Sequence, residues 1–498
     1  MNNLNYLHKE DFSFMRLLSY ILLCIFVFFL TGCMVGPNFK PPKTSVPPSW
    51  VGIDGRKTGP MDLVHWWTQF NDPNLTSLID RAIASNLDLK QAESRLRQAR
   101  AARIVVSAGL WPTLDATGSY SKSQKAGSAK TKTSPTRLDL WQTGLDAAWE
   151  LDIFGGVRRN VEAAEADIRA AVEDQRDVLV TLAGEVALNY VELRGFQQEI
   201  VIAQNNLKAQ QHTAELTRQR FGSGLVGALD VANADAQVGT TASQIPAMET
   251  SAQQAIYNLS VLLGREPTSL LEELSPVSTI PVTPPDLPAE LPSDLLRRRP
   301  DIRRAEAQIH AATARIGVAT ADLFPKFNLT GSVGYQSNAL DTLINSQNNL
   351  WSLGPSMSWQ IFNAGSVSAN IEVKKALSEQ ALLTYQKAVL TALQDVENAL
   401  VSYSKEQRRH KALQDTVTAN RKAVDLATQL YSQGQTEFLS VLDSQRSLYA
   451  SEDSLVQSTR NLSTDLVSLY KALGGGWDSE SPNAIQGDGE PNLPAKPH

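Results

Sequence analysis

Cysteine is nearly absent from this chain: 498 residues hold only Cys24 and Cys33. Cys24 sits inside an apolar N-terminal run, so no disulfide framework can hold the fold and stability must come from packing. Long apolar runs are equally scarce. Leu17–Leu30 is one, 14 residues long and preceded by Arg16; a membrane-crossing helix needs about 20 apolar residues, a signal-peptide core only about 7 to 15. No second run approaches that length, so further membrane contact falls to strands or to the surface. Positive charge is not in excess either. A net charge of -6 argues against nucleic acid as a partner. Chemistry-bearing clusters are missing as well. His8, His65, His212, His310, His410 and His498 stand singly, without a second ligand at metal spacing. Gly474-Gly-Gly476 ends a helical pattern and reads as a terminator, not as a phosphate cradle after a strand. Arg297-Arg-Arg299, before Pro300, reads as a helix start with solvated or carbonyl-paired charges. The sequence thus points to no enzyme, no cofactor and no metal.

The apolar run is followed by Leu30-Thr31-Gly32-Cys33, which resembles the bacterial lipobox, where the chain is cut before a cysteine that is then acylated. Residues 1–32 are expected to be a lipoprotein signal peptide and Cys33 the lipidated first residue of the mature protein. Met15-Arg16 would also open a conventional signal, so either Met1 or Met15 can be the start. The resemblance makes Met34 informative, since it is not the Asp that retains such lipoproteins at the inner membrane.

The rest of the chain is duplicated. Asn86-Leu-Asp-Leu-Lys-Gln-Ala-Glu93 through Leu110-Trp111-Pro112 matches Arg299-Pro-Asp-Ile-Arg-Arg-Ala-Glu306 through Leu323-Phe324-Pro325 at an offset of 213 residues. Trp149 then answers Trp359, Phe221-Gly-Ser-Gly224 answers Tyr431-Ser-Gln-Gly434, and Leu262-Leu-Gly264 answers Ala472-Leu-Gly474. Order and spacing kept over several landmarks mean that each half carries the same elements. Between them Pro267 to Pro300 includes eight prolines, which excludes continuous helix or a central strand.

Each half reads as helix, two strands, long helix, shorter helix. In the second, Phe327, Leu329, Gly331, Val333 and Tyr335 alternate with Asn328, Thr330, Ser332, Gly334 and Gln336. After a polar loop, Trp351, Leu353, Met357, Trp359 and Ile361 alternate with small or polar residues. In the first, Trp141 through Ile153 does the same. A period of two with one apolar, aromatic face fits a half-buried soluble sheet as well as a membrane barrel. The strand lengths match the roughly 9 to 11 residues that cross a bilayer at a tilt, Trp stands near strand ends, and the lipobox places the chain at a membrane. Four strands cannot close a spanning barrel, for which about eight is the minimum, so several copies must share one. The strand count leaves their number open.

The helices are long. Val157 to Arg220 has no proline and repeats apolar residues at Ile168, Val172, Leu179, Leu182, Val186, Tyr190 and Leu193, one helical face about 95 Å long. Ser366 to Leu430 is its counterpart. The shorter helices, Leu75 to Ala108 and Ala228 to Leu263, together approach that length, with a local bend expected at Pro246.

Blocks across the mature chain resemble the TolC-type outer-membrane factors, in particular their NodT/OprM-like efflux lipoproteins. They are Cys33-Met-Val-Gly-Pro-Asn-Phe39, Trp66-Trp-Thr-Gln-Phe-Asn-Asp-Pro-Asn-Leu75, Leu295-Leu-Arg-Arg-Arg-Pro-Asp-Ile302 and Tyr470-Lys-Ala-Leu-Gly-Gly-Gly-Trp477. The resemblance implies a mixed α and β membrane protein. It implies a homotrimer whose shared 12-stranded β-barrel lies in the cell outer membrane, with a long α-helical barrel reaching into the periplasm. It also implies a periplasmic adaptor (membrane fusion) protein and an inner-membrane RND-type pump as partners, and passive conduction of drugs or other small solutes. The gate would lie at the periplasmic tip, in Tyr431-Ser-Gln-Gly-Gln-Thr-Glu-Phe-Leu-Ser-Val-Leu-Asp-Ser-Gln-Arg446. Gly224 and Gly434 turn the two hairpins. Tyr431 borders the gate, Leu439 would form an apolar constriction, and Asp443 with Arg446 a polar latch between or within protomers. On spacing alone the last two read as a solvated ion pair on one helix; the gate is what the resemblance implies. The first repeat has Asn233 and Ala236 at these positions, so the latch is not duplicated.

The expected organisation is therefore 1–32 signal peptide, 33–72 lipidated extended segment, 73–265 first repeat, 266–292 Pro-rich equatorial linker, 293–477 second repeat and 478–498 disordered tail. A protein-secretion conduit shares this fold and remains an alternative, as does a lipid-anchored scaffold that conducts nothing.

Overall fold

The computed structural model describes residues 34–43, 47, 50, 62–126, 136–281, 295 and 297–478. The segment expected to be the signal peptide, Cys33, residues 282–292 of the Pro-rich linker and nearly all of the tail lie outside the described residues. In chain order the elements are α1 (Pro73–Ser85), α2 (Leu87–Ala108), β1 (Thr113–Lys125), β2 (Thr136–Leu151), α3 (Gly156–Gly222), α4 (Ala228–Leu262), a one-turn α5 (Leu271–Leu274), α6 (Pro300–Ala321), β3 (Lys326–Ser337), β4 (Asn349–Ser358), α7 (Ser366–Ser432) and α8 (Phe438–Ala472). The duplication shows in matched lengths: α3 and α7 are both 67 residues, α4 and α8 both 35, α2 and α6 both 22. Contacts divide the chain into two compact units that cut across the repeats. One combines Leu96–Ala171, Ala305–Tyr385 and the residues up to Lys43; the other combines Thr44–Arg95, Val172–Arg304 and the residues from Gln386 on.

The first unit is organised by one antiparallel sheet in the order β1-β2-β3-β4. The central pair, β2 with β3, joins the repeats, and Gly144 stands opposite Gly334 there. A Cβ on Gly334 would run into the Thr143 carbonyl oxygen, so close approach requires glycine at that crossing. The register stacks like with like. Ala116, Leu145, Val333 and Trp351 form one cross-strand row, and Asp115, Asp146, Ser332 and Ser352 form a row of the opposite face. The apolar face is uncovered in the single chain: Trp351 is 76% exposed and Leu353 69%. Both Trp149 and Trp359 donate their indole N–H to a backbone carbonyl of the turn that leads into their strand pair, Leu110 at 3.0 Å and Leu323 at 3.1 Å. They are thus junction ties as well as strand-end aromatics. β4 stops at Ser358, short of the alternation that reaches Ile361, because the Ile361 N–H turns back onto the Trp359 carbonyl.

The second unit is helical. Its core includes Leu75, Leu78, Val186, Tyr190, Leu193, Leu466 and Leu469, all essentially inaccessible to solvent. Five of the seven periodic residues marked on α3 are buried, and Ile168 and Leu179 are half-buried. Asp72 caps α1 through the Asn74 and Leu75 N–H groups and accepts the Tyr190 hydroxyl at 2.8 Å. Burial pushes that phenol up to about 12. Trp66 stacks on Tyr470, and Trp477 is held under the Arg176 and Arg303 guanidinium groups.

The single helix expected from Leu75 to Ala108 is two helices. Asn86 interrupts it: its Oδ1 accepts the Leu89 N–H at 2.9 Å, the N-cap arrangement that starts α2, and its Nδ2 donates to the Leu262 carbonyl at 2.9 Å. The equivalent of Asn86 is Arg299, which donates to the equivalent carbonyl, Ala472, at 2.8 Å. Arg299 is also paired with Asp301 and Asp395, and Arg298 reaches the Trp477 carbonyl. α4 runs through Pro246 as one helix.

Candidate functional site

Two helical hairpins, α3 with α4 and α7 with α8, contain the residues expected to gate. Each turns at a glycine in the left-handed region, Gly224 with φ 73° and Gly434 with φ 75°. The residue after each glycine sends its N–H back to the last helical turn, Leu225 to Arg220 at 2.9 Å and Gln435 to Leu430 at 2.8 Å. This is a helix end closed by αL glycine, which any Cβ would strain.

Behind the turns, Tyr431, Phe438, Val441 and Leu442 of the second hairpin pack with Ala214 and Ala234 of the first. Tyr431 is buried, and its hydroxyl donates to Thr217 Oγ1 at 3.3 Å. Above its ring, 4.6 Å from the centroid, lies the guanidinium of Arg220. The same group donates to the carbonyls of Tyr431 and Ser432, at the C-terminal end of α7. A cation placed on the negative end of a neighbouring helix is favourable, and Leu430 occupies the repeat-equivalent position, so the tie is made once.

Leu439 is 53% exposed and its repeat equivalent Leu229 is 72% exposed; neither joins the core. Asp443 is exposed. Among the described residues no ion pair joins Asp443 to Arg446. Arg446 Nε instead donates to Gln237 Oε1 of the first hairpin at 2.7 Å. The adjacent Gln445 donates from Nε2 to Thr213 Oγ1 at 2.9 Å, and about one turn on Tyr449 Oη donates to Gln244 Oε1 at 2.8 Å. Burial raises the Tyr449 pKa, keeping it a donor. The structure therefore gathers Tyr431, Arg446 and the two turn glycines into one hairpin-to-hairpin assembly and leaves Leu439 and Asp443 on its surface. Sequence reasoning missed Arg220 and Gln237. A cation in the last turn before a helix-ending glycine was the available signal for the first; the second is a neutral residue on a helix, and nothing local distinguishes it.

Among the described residues no group of three His, Cys, Asp or Glu side chains could hold a metal ion, and no helix is long and apolar enough to cross a membrane. The apolar sheet face and the paired hairpins together define a repeat-built membrane channel subunit. The chain belongs to the outer membrane efflux protein family, whose profile it matches over residues 78–265 and again over 291–475, once per repeat. It is 34% identical to the pyoverdine export outer membrane protein OpmQ of Pseudomonas aeruginosa over 472 residues, covering 94% of this chain and 98% of that one. It is 32% identical to nodulation protein T of Rhizobium leguminosarum bv. trifolii over 453 residues, covering 91% and 96%. Its fold superposes on the outer-membrane channel OprN with a TM-score of 0.85 at 36% identity, covering 89% of this chain and 100% of that chain. The open state of the Neisseria gonorrhoeae MtrE outer membrane channel gives 0.78 at 30% identity, covering 89% and 99%.

Proposed function

We propose that the chain is the outer-membrane duct subunit of a tripartite efflux pump, fed by a periplasmic adaptor and an inner-membrane RND-type pump. The sheet is the observation that carries this reading. Its four strands have one apolar face, uncovered in the single chain, and β1 and β4 leave edges to be paired. Such a surface is stable in lipid only when other copies supply strands and close the ring. Three copies of a four-stranded sheet give a 12-stranded barrel, within the range of spanning barrels. The polar face then lines the lumen, and small organic solutes are the cargo class, a reading supported by the likeness to the pyoverdine exporter OpmQ. The long helices continue the duct into the periplasm, and acylated Cys33 anchors it to outer-membrane lipid.

The gate in this reading is the second hairpin. Leu439, exposed on a single chain, meets its copies as an apolar constriction. Asp443 is free to pair with Arg446 of a neighbouring copy, since among the described residues Arg446 uses only Nε within its own chain. Asp443→Ala should leave the oligomer intact and raise conductance in a planar bilayer. An unaltered conductance in a well-folded oligomer would remove the gate assignment, and a purified protein that is monomeric in detergent would remove the duct. Cys33→Ser should abolish palmitate labelling; retained label refutes the anchor.

A further inference from the structure

The buried residues of α3 change character along its length. Between Val180 and Leu193 they include Val180, Leu182, Val186, Tyr190 and Leu193. Further on, the same helical spacing gives Asn206, Gln210, Thr213 and Thr217, each no more than 9% exposed. These steps of four, three and four residues mark the core stripe of a helix packing on a partner, and polar residues occupy it. The ties across it are correspondingly polar: Asn206 Nδ2 donates to Glu452 Oε2 at 3.1 Å, Gln445 to Thr213 at 2.9 Å and Tyr431 to Thr217 at 3.3 Å.

Gln210 breaks the pattern of satisfied groups. It is 3% exposed, yet among the described residues neither its amide oxygen nor its amide nitrogen has a partner. The antiparallel register that opposes Asn206 to Glu452 and Thr213 to Gln445 sets Gln210 opposite Leu448, which offers an amide nothing. An unpartnered buried amide disfavours the packed state by the hydration it has lost, and water restores that hydration when the helices part. Among the described residues between Val180 and Leu193 no buried side-chain amide is left without a partner.

We propose that the 206–217 stretch of α3 and the 445–452 stretch of α8 form a hydratable seam that separates when the duct opens, with Gln210 setting how marginal the closed state is. This rests on the duct reading and adds where within each chain the hairpins part. Two experiments on the full-length protein test it. In planar bilayers Gln210→Leu should open about tenfold less often than wild type, because the closed state loses its unpaired amide. Opening at the wild-type rate or faster, in a variant whose oligomer is intact, overturns the inference. In the second, Gln210→Cys is probed with a charged, water-soluble thiol reagent. Labelling should be at least about tenfold faster when Asp443→Ala holds the duct open; equal rates in both backgrounds mean that the seam stays shut, which overturns the inference while the duct reading stands. A wild-type protein that never conducts removes the duct reading and the seam with it.

Discussion

Replacing Arg220 by Met should loosen one hairpin and spare the other. The guanidinium donates to the carbonyls of Tyr431 and Ser432 and lies over the Tyr431 ring. A hydrogen bond from a charged donor contributes about 1.5–3 kcal/mol, a cation over an aromatic ring about 0.5–1, and a cation at a helix C-terminus about 0.3–1. One half-buried group makes all three contacts, so they overlap, and about 2 kcal/mol is the reasonable total. Met keeps most of the aliphatic volume, so packing changes little. The readout is amide hydrogen exchange at the turn of the second hairpin, where Gln433, Gly434 and Gln435 donate to Gln429, Tyr431 and Leu430. A loss of 2 kcal/mol speeds local opening about 30-fold. At the first hairpin Ser223, Gly224 and Leu225 close on α3 itself and should change less than about threefold, by the weakened helix end alone. Unchanged exchange at Gln433 to Gln435, or a larger effect at the first hairpin, refutes the assignment of Arg220 as the tie between them.

Trp149→Phe and Trp359→Phe each remove one indole hydrogen bond to a turn carbonyl and should each cost about 1 kcal/mol, seen as earlier thermal dissociation of the detergent-extracted oligomer. Like losses from both are expected because the two contacts are repeat equivalents; a neutral Phe at either site contradicts that. Asn86→Ala removes both the α2 cap and the tie to Leu262 for about 2 kcal/mol. Asn86→Asp keeps the cap and should recover about half, measured in the same assay. Glu273 is held below the usual carboxylate range by its hydrogen bonds to Arg81, at 2.6 and 3.0 Å. A carboxylate with a lowered folded pKa contributes stability above its unfolded value and loses it as pH falls through the folded one. The pair is partly exposed, so Glu273→Gln should cost about 0.5 kcal/mol at neutral pH and nothing in strong acid, read as exchange of the Leu271–Leu274 turn. An equal cost at both pH values rules out the ion pair as its cause.

How much was legible in advance depends on the range of the interaction. Alternation at a period of two placed β2, β3 and β4 and showed which face is apolar, because pleating alone assigns side chains to faces. The ends of α3 and α7 were legible within two residues, since Gly224 and Gly434 stop helices by their backbone freedom. The duplication was legible outright, and it set the strand count and hence the need for several copies. The break at Asn86 was missed because apolar spacing continues across it, and the side chain that caps α2 is held by its Nδ2 donating to the Leu262 carbonyl, far along the chain.

At the hairpins the residue types were readable and their partners were not. Asp443 and Arg446 are neighbours on a helix face, so spacing suggested a pair. Folding instead brings Gln237 to Arg446 and Arg220 to Tyr431, each across more than 200 residues of chain. Period, turns and repeat are local or self-referring properties that a backbone expresses wherever it lies, and the sequence by itself determined them. Which buried amide finds a donor and which, like Gln210, finds none is decided only when distant helices are packed to a particular register, and that belongs to the tertiary structure.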